Sequence, residues 1–170
     1  MSLRVFDYLD ARFASPKPGE TYFIHLLLPH FPFVLDRNCN INPPSKWRWP
    51  LWAPESAIAG TALESIYAAY GEQLQCTHSR TMRLIDAIMK STVGSQTIFI
   101  IHGDHGARIH SKISHLDHSK QSEPILMDGL DTFFAVKAPG LDTRINKQQE
   151  LLPVRFRDIL ENHILTTSGR

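Results

Sequence analysis

The stretch Thr97–Gly106, TIFIIHGDHG, decides how the rest of the chain is read. Thr97 to Ile101 is an unbroken run of apolar or β-branched residues and reads as a strand buried on both faces. The run stops at His102-Gly103-Asp104-His105-Gly106. In an open α/β sheet, the loop leaving the C-terminal end of a strand is where ligands bind. A carboxylate beside an imidazole suits a pair of metal ligands there. A glycine on each side lets the backbone turn sharply and a ligand come close.

Upstream of this strand, Thr61 to Lys90 carries the longest helical signal. Thr61-x-x-Glu64 reads as a capping box, and Ile66, Tyr70, Leu74, Met82, Ile85 and Met89 recur mostly four apart. Tyr22 to Leu28, YFIHLLL, is a second continuous apolar run and a second buried-strand candidate. With the helix between them, the two strands read as a right-handed βαβ unit. A short helix is expected over residues 3–13, closed by Ser15-Pro16-Lys17-Pro18-Gly19. Residues 34–55, with four prolines and Trp47, Trp49 and Trp52, read as a loop packed on the domain. Downstream, Leu130 to Val136 is a third strand candidate, and Leu151 to Leu160 reads as a closing helix. The fold expectation is therefore α/β: a three-layer α/β/α arrangement on a mostly parallel sheet.

Bulk properties narrow the function. A chain of 170 residues, 42% hydrophobic and 21% charged, is sized for one domain with a real core. A net charge of +1 gives no electrostatic footprint for nucleic acid. No run of about 18 apolar residues is present to span a membrane. The start, MSLRVFDYLD, lacks the apolar region of a signal peptide, which makes the cytoplasm the default compartment. Cys39 and Cys76 have no CxxC spacing and read as buried or idle thiols rather than as a disulfide scaffold.

Histidine carries the chemical signal, with nine in the chain. Asp104 and His105 are either a metal pair or a turn aspartate beside a surface histidine. His30, fixed between Pro29 and Pro32 just past a strand candidate, is placed to bind an anionic oxygen or to act as an acid or base; the alternative is simple packing. His25 reads as a core histidine and His102 as an outer-shell or purely structural one. His110, His115 and His118 read chiefly as loop residues that can add a ligand. No GxGxxG, P-loop or GxSxG motif is present.

Taken together, HLLLPHFPF (His25–Phe33), TIFIIHGDHG and DTFFAVKAPG (Asp131–Gly140), in this order, resemble segments of sulfatase-like hydrolases of the alkaline phosphatase superfamily. The likeness covers residues 20–162 of a single domain, after a leading helix and linker at 1–19 and before a tail at 163–170. It implies metal-dependent hydrolysis or transfer of phosphate or sulfate monoester groups. Asp104 and His105 would be metal ligands, and His30 a catalytic contact to the ester oxygens. The ion would be Mn, Zn, Mg or Ca, and the partner a phosphate- or sulfate-ester substrate. The chain departs from the family ahead of His25, where the acidic ligands and the Thr, Ser or Cys nucleophile are missing. The resemblance thus implies a C-terminal half, inactive alone. The other expectation is a non-catalytic assembly module that self-associates or binds a partner half, because half a sheet leaves apolar surface uncovered.

Overall fold

The computed structural model describes residues 2–110 and 122–140. Its spine is one long helix. In chain order the elements are α1 (Ser2–Arg12), α2 (Glu55–Ile58), α3 (Leu63–Met89), β1 (Phe99–His102), α4 (Glu123–Leu130) and β2 (Phe134–Lys137), with 3₁₀ turns at Pro44–Lys46 and Gly94–Gln96. The 27 residues of α3 span about 40 Å at 1.5 Å per residue. Good helix formers are frequent in α3, and Gly71 is its least favourable position. The expected capping box does not form. Ala62 is the N-cap, without a side-chain hydrogen bond, and the Ser65 hydroxyl instead donates to the Ala62 carbonyl at 2.7 Å.

Each half of α3 buries a different set of partners. Leu84 and Ile88 pack against Leu9 of α1 and Phe13 just past its end, with Leu26 and Phe99 on the margin. Arg80 pairs with Asp7 at 2.6 Å and Asp10 at 3.2 Å, and lies 5.4 Å over the Phe6 ring; Arg83 also pairs with Asp10. These ion pairs orient α1, while the buried Phe6, Leu9 and Phe13 stabilise it. Toward the N-terminal end of α3, Ile66 is fully buried with Phe33 and Ile109, and Phe31, Leu51, Leu63, Ala69, Tyr70 and Ala107 surround them. This second cluster draws the chain around residue 31 and the loop after β1 onto the same helix.

The loop at 33–48 folds back on itself. Phe33 and Arg48 exchange backbone hydrogen bonds of 2.8 and 3.2 Å, and Leu35 bridges to Ile41. Asp36 closes the tip by accepting the amides of Asn38 and Asn40 and the Asn40 side chain at 2.8–3.0 Å. Those hydrogen bonds, the Asn40 side chain first, hold the Asp36 carboxyl below its ordinary range. Cys39 occupies this tip with φ of 65°. It is not an idle thiol: it forms a disulfide with Cys76, which is fully buried on α3.

The sheet overturns the fold expected from the sequence. Among the described residues it has two strands, β1 and β2, and they run antiparallel, with Ile100 opposite Val136 and Ile101 opposite Ala135. Among the described residues there is no three-layer α/β/α sandwich and no mostly parallel sheet. The sulfatase-like, alkaline phosphatase superfamily resemblance is corrected with it, since that likeness rests on such a core. An apolar run reports burial but not the direction of the neighbour, and the long connection from β1 through α4 returns the chain antiparallel. Thr97 belongs to the end of a 3₁₀ turn, so the strand starts at Phe99 and is only half-buried. Lys137 ends β2 by donating to the carbonyls of Gly94 and Thr97 at 2.9 and 2.8 Å.

Tyr22–Leu28 is not a sheet strand. Residues 22–27 have no regular secondary structure, Leu28 enters a turn, and the segment pairs with no strand among the described residues, with Phe23 90% and Leu27 64% exposed. Its ends are drawn elsewhere: Tyr22 donates to Glu20 at 2.6 Å, and the Pro29 and His30 carbonyls accept from Gln73 of α3. The closing helix expected over 151–160 lies outside the described residues. Among those residues, no helix is long and apolar enough to cross a membrane.

Candidate functional site

The loop Gly103–His110 is held from both sides. On one side Gly103 donates to Phe133 at 2.9 Å, Gly106 to Gly129 at 3.0 Å and Arg108 to the Asp128 carbonyl at 2.9 Å. The Thr132 hydroxyl donates to the Gly103 carbonyl at 2.8 Å. On the other side the Trp52 indole N–H donates to the Arg108 carbonyl at 2.6 Å, and the Leu51 amide to Ile109 at 2.9 Å. The glycines serve this packing rather than a sharp turn. A Cβ on Gly106 would run into the Asp128 carbonyl oxygen, and one on Gly103 would come within 2.7 Å of the Thr132 hydroxyl.

Between these anchors Asp104 and His105 stand out from the loop. The Asp104 side chain is 71% exposed and that of His105 25%. His105 Nε2 lies 3.8 Å from Asp104 Oδ2, while its Nδ1 is 2.6 Å from the Gly106 carbonyl. A carbonyl only accepts, so Nδ1 carries the proton and a neutral His105 keeps its lone pair on Nε2. His30 repeats the arrangement: its Nδ1 donates to the Phe31 carbonyl at 2.7 Å. The His30 and His105 rings are 6.4 Å apart, edge to face. Residues seventy-five positions apart in sequence thus reach one corner of the molecule.

His30 is held there by α3. The Gln73 amide is fully buried. Its Oε1 accepts the amides of Val34 and Leu35 at 2.9 and 3.2 Å, and its Nε2 donates to His30 and Pro29 carbonyls at 2.8 and 3.2 Å. Prolines at 29 and 32 remove two N–H groups from this segment, so it cannot join a regular ladder, and a side chain satisfies it instead.

The other histidines are placed differently. His25 is exposed rather than in a core. His102 is exposed and lies 3.2 Å through Nδ1 from the Gly103 carbonyl. His110 belongs to a junction of three segments. Its amide donates to Asp128 Oδ2 at 3.0 Å, and the Tyr67 hydroxyl donates to Asp128 Oδ1 at 3.0 Å while lying 3.0 Å from His110 Nδ1. Burial, then the Asp128 hydrogen bond and charge, pushes the Tyr67 hydroxyl up to about 12. His115 and His118 lie outside the described residues.

The sequence reading missed Gln73, Asp128 and the disulfide. Gln73 had a signal, because it is a polar residue seven positions after Ile66 and three before Cys76, on the stripe that buries both. Asp128 had none, since it follows an apolar run that alone does not reveal α4.

The expected enzyme is corrected here. Among the described residues, no three His, Cys, Asp or Glu side chains group as metal ligands, so the metal cluster and nucleophile that hydrolysis or transfer of phosphate or sulfate esters requires are not assembled. The ester substrate goes with that activity, and the argument for a missing half or for self-association goes with the half-sheet premise. Searches against known protein families, curated proteins and solved structures find no match to this chain.

Proposed function

We propose that the chain binds a divalent transition-metal ion through the two donors of the Asp104–His105 turn. One observation carries this reading. His105 donates Nδ1–H to the Gly106 carbonyl, which leaves Nε2 as the electron-pair donor, and this outer hydrogen bond is the one that metal-binding histidines use to fix tautomer and ring. The 3.8 Å between Asp104 Oδ2 and His105 Nε2 is close to the spacing of two donors on one ion. An imidazole with one carboxylate suits zinc, nickel or copper better than magnesium or calcium, which prefer oxygen alone. Few protein donors and an exposed carboxylate support modest affinity, with water completing the shell.

The Cys39–Cys76 disulfide supports an oxidising compartment for this function, in place of the cytoplasmic default. Calorimetric titration of the full chain with zinc or nickel tests the site. The expected result is one saturable site that weakens at least tenfold in Asp104→Ala and in His105→Ala. Affinity unchanged in both variants refutes the assignment.

A further inference from the structure

We infer that Thr132 is a positioning residue for the Asp104–His105 turn, its hydroxyl ending the β1–β2 ladder where the turn has to begin; the inference rests on the metal reading above. The register of the ladder sets His102 against Phe134. Carried one and two steps further, it sets Gly103 against Phe133 and Asp104 against Thr132. A hydrogen-bonded antiparallel pair exchanges two backbone bonds. Gly103 and Phe133 make the first of these, the Gly103 amide donating to the Phe133 carbonyl at 2.9 Å. The second is replaced. The Gly103 carbonyl accepts the Thr132 hydroxyl at 2.8 Å, and that hydroxyl also lies 3.4 Å from the Phe133 carbonyl. A side chain thus occupies the acceptor that the Phe133 amide would use, and the two strands part here.

Glycine at 103 and threonine at 132 are matched. A Cβ on residue 103 would lie 2.7 Å from the Thr132 hydroxyl oxygen, so a side chain at 103 and this hydrogen bond exclude each other. The other end of the turn is tied to the same segment, since Gly106 donates to the Gly129 carbonyl at 3.0 Å. Gly129 lies in the last turn of α4, where helix carbonyls lack partners within the helix. Asp104 and His105 are therefore strung between two fixed points in residues 129–133. Backbone bonds that any sequence can make hold the His105 side. On the Asp104 side a backbone bond is joined by one side chain. The Gly103 carbonyl belongs to the planar peptide unit that carries the Asp104 Cα. Holding its oxygen sets the direction in which Asp104 leaves the ladder, and with it the 3.8 Å between Asp104 Oδ2 and His105 Nε2.

The experiment is calorimetric zinc titration of the full chain in Thr132→Val, which keeps the shape and removes the donor, and in Thr132→Ser, which keeps the donor. Thr132→Val is also combined with Asp104→Ala. The expected result is about tenfold weaker binding in Thr132→Val, the lower end of what losing an outer support costs a metal site. Thr132→Ser is expected to bind as the wild type does. Thr132→Val is expected to add no loss once Asp104 is gone, because it acts through that carboxylate. Wild-type affinity in Thr132→Val overturns the inference. So does a loss in Thr132→Ser equal to that in Thr132→Val. An equal loss with and without Asp104 overturns it too, since the hydroxyl would then act on the domain in general, and so does a Thr132→Val protein that does not fold. Should the wild type bind no zinc, the metal reading fails by itself, and amide hydrogen exchange decides the role of Thr132. Faster exchange at Gly103 in Thr132→Val, with Ile101 in the ladder unchanged, supports the positioning role; an unchanged rate at Gly103 overturns it.

Discussion

Replacing Gln73 with methionine keeps the length and volume of the side chain and removes all of its hydrogen bonds. Two amides, Val34 and Leu35, lose their acceptor, and the Pro29 and His30 carbonyls lose their donor. An abandoned buried polar group costs roughly 1–3 kcal/mol. His30 is exposed, so water can reach its carbonyl, whereas Leu35 is buried and Gln73 is fully so. Counting the two amides in full and the carbonyls as largely rehydrated gives a loss of about 2–6 kcal/mol. At a urea slope of about 2 kcal/mol per molar this moves the midpoint down by about 1–3 M. Gln73→Glu separates the two halves of the interaction. It keeps the acceptor for the amides but turns a carboxylate toward carbonyl oxygens. That group is protonated more readily folded than unfolded, so the deficit shrinks as pH falls through its raised value and is full at neutral pH. Urea titrations of both variants at pH 5 and pH 7.5 read this directly. A Gln73→Met protein within about 0.5 kcal/mol of wild type, at unchanged slope, would refute the claim that this side chain satisfies the proline-rich segment.

Further expectations concern packing and titration. Ile66→Ala, at a fully buried position between Phe33 and Ile109, is expected to cost about 2–5 kcal/mol in the same assay; a loss under about 1 kcal/mol would mean the second cluster is not a core. Gly106→Ala is expected to destabilise by pushing the loop off the Asp128 carbonyl, whereas Gly71→Ala, with open space around a helical glycine, is expected to stabilise by about 0.5–1 kcal/mol; equal thermal midpoints for the two would contradict the contrast. Because the Tyr67 hydroxyl is raised to about 12, its share of stability is complete below the ordinary tyrosine value near 10 and is lost as pH rises from there. Ultraviolet titration should show a late-ionising tyrosine that disappears in Tyr67→Phe and moves earlier in Asp128→Asn.

Local patterns were legible in the sequence and long-range pairings were not. The spacing of Leu3, Phe6, Leu9 and Phe13 marks α1, and the apolar stripe from Ile66 to Ile88 marks α3, because a helix writes its buried face into its own periodicity. Phe99–His102 was legible as a strand, but its partner and direction were not, because an apolar run is the same whether its neighbour is parallel or antiparallel. Tyr22–Leu28 misled for the converse reason: hydrophobicity is a property of residues, and pairing depends on what Gln73 and Glu20 do to its ends. At the site, Asp104, His105 and His30 were nameable from glycine and proline context, which acts over a few residues. Their supports at Asp128 and Gln73 come from elsewhere in the chain, and no local rule connects them.

The two clusters on α3 have no residue in common; Leu84 and Ile88 serve one, and Ile66 with Ala69 and Tyr70 serves the other. A helix of this length is thus a shared beam between two cooperative units rather than the edge of one core. Proteins open in such units with separate free energies. A ligand stabilises only the openings that expose its site, by RT ln(1 + [L]/Kd). On the proposed reading, metal held at Asp104 and His105 should therefore suppress sub-global opening of the Phe33–Ile66–Ile109 unit, whose Ile109 lies on the same loop, and leave the fraying of α1 from Leu84 and Ile88 at its original rate. A ligand at one end of the beam would then not be announced at the other.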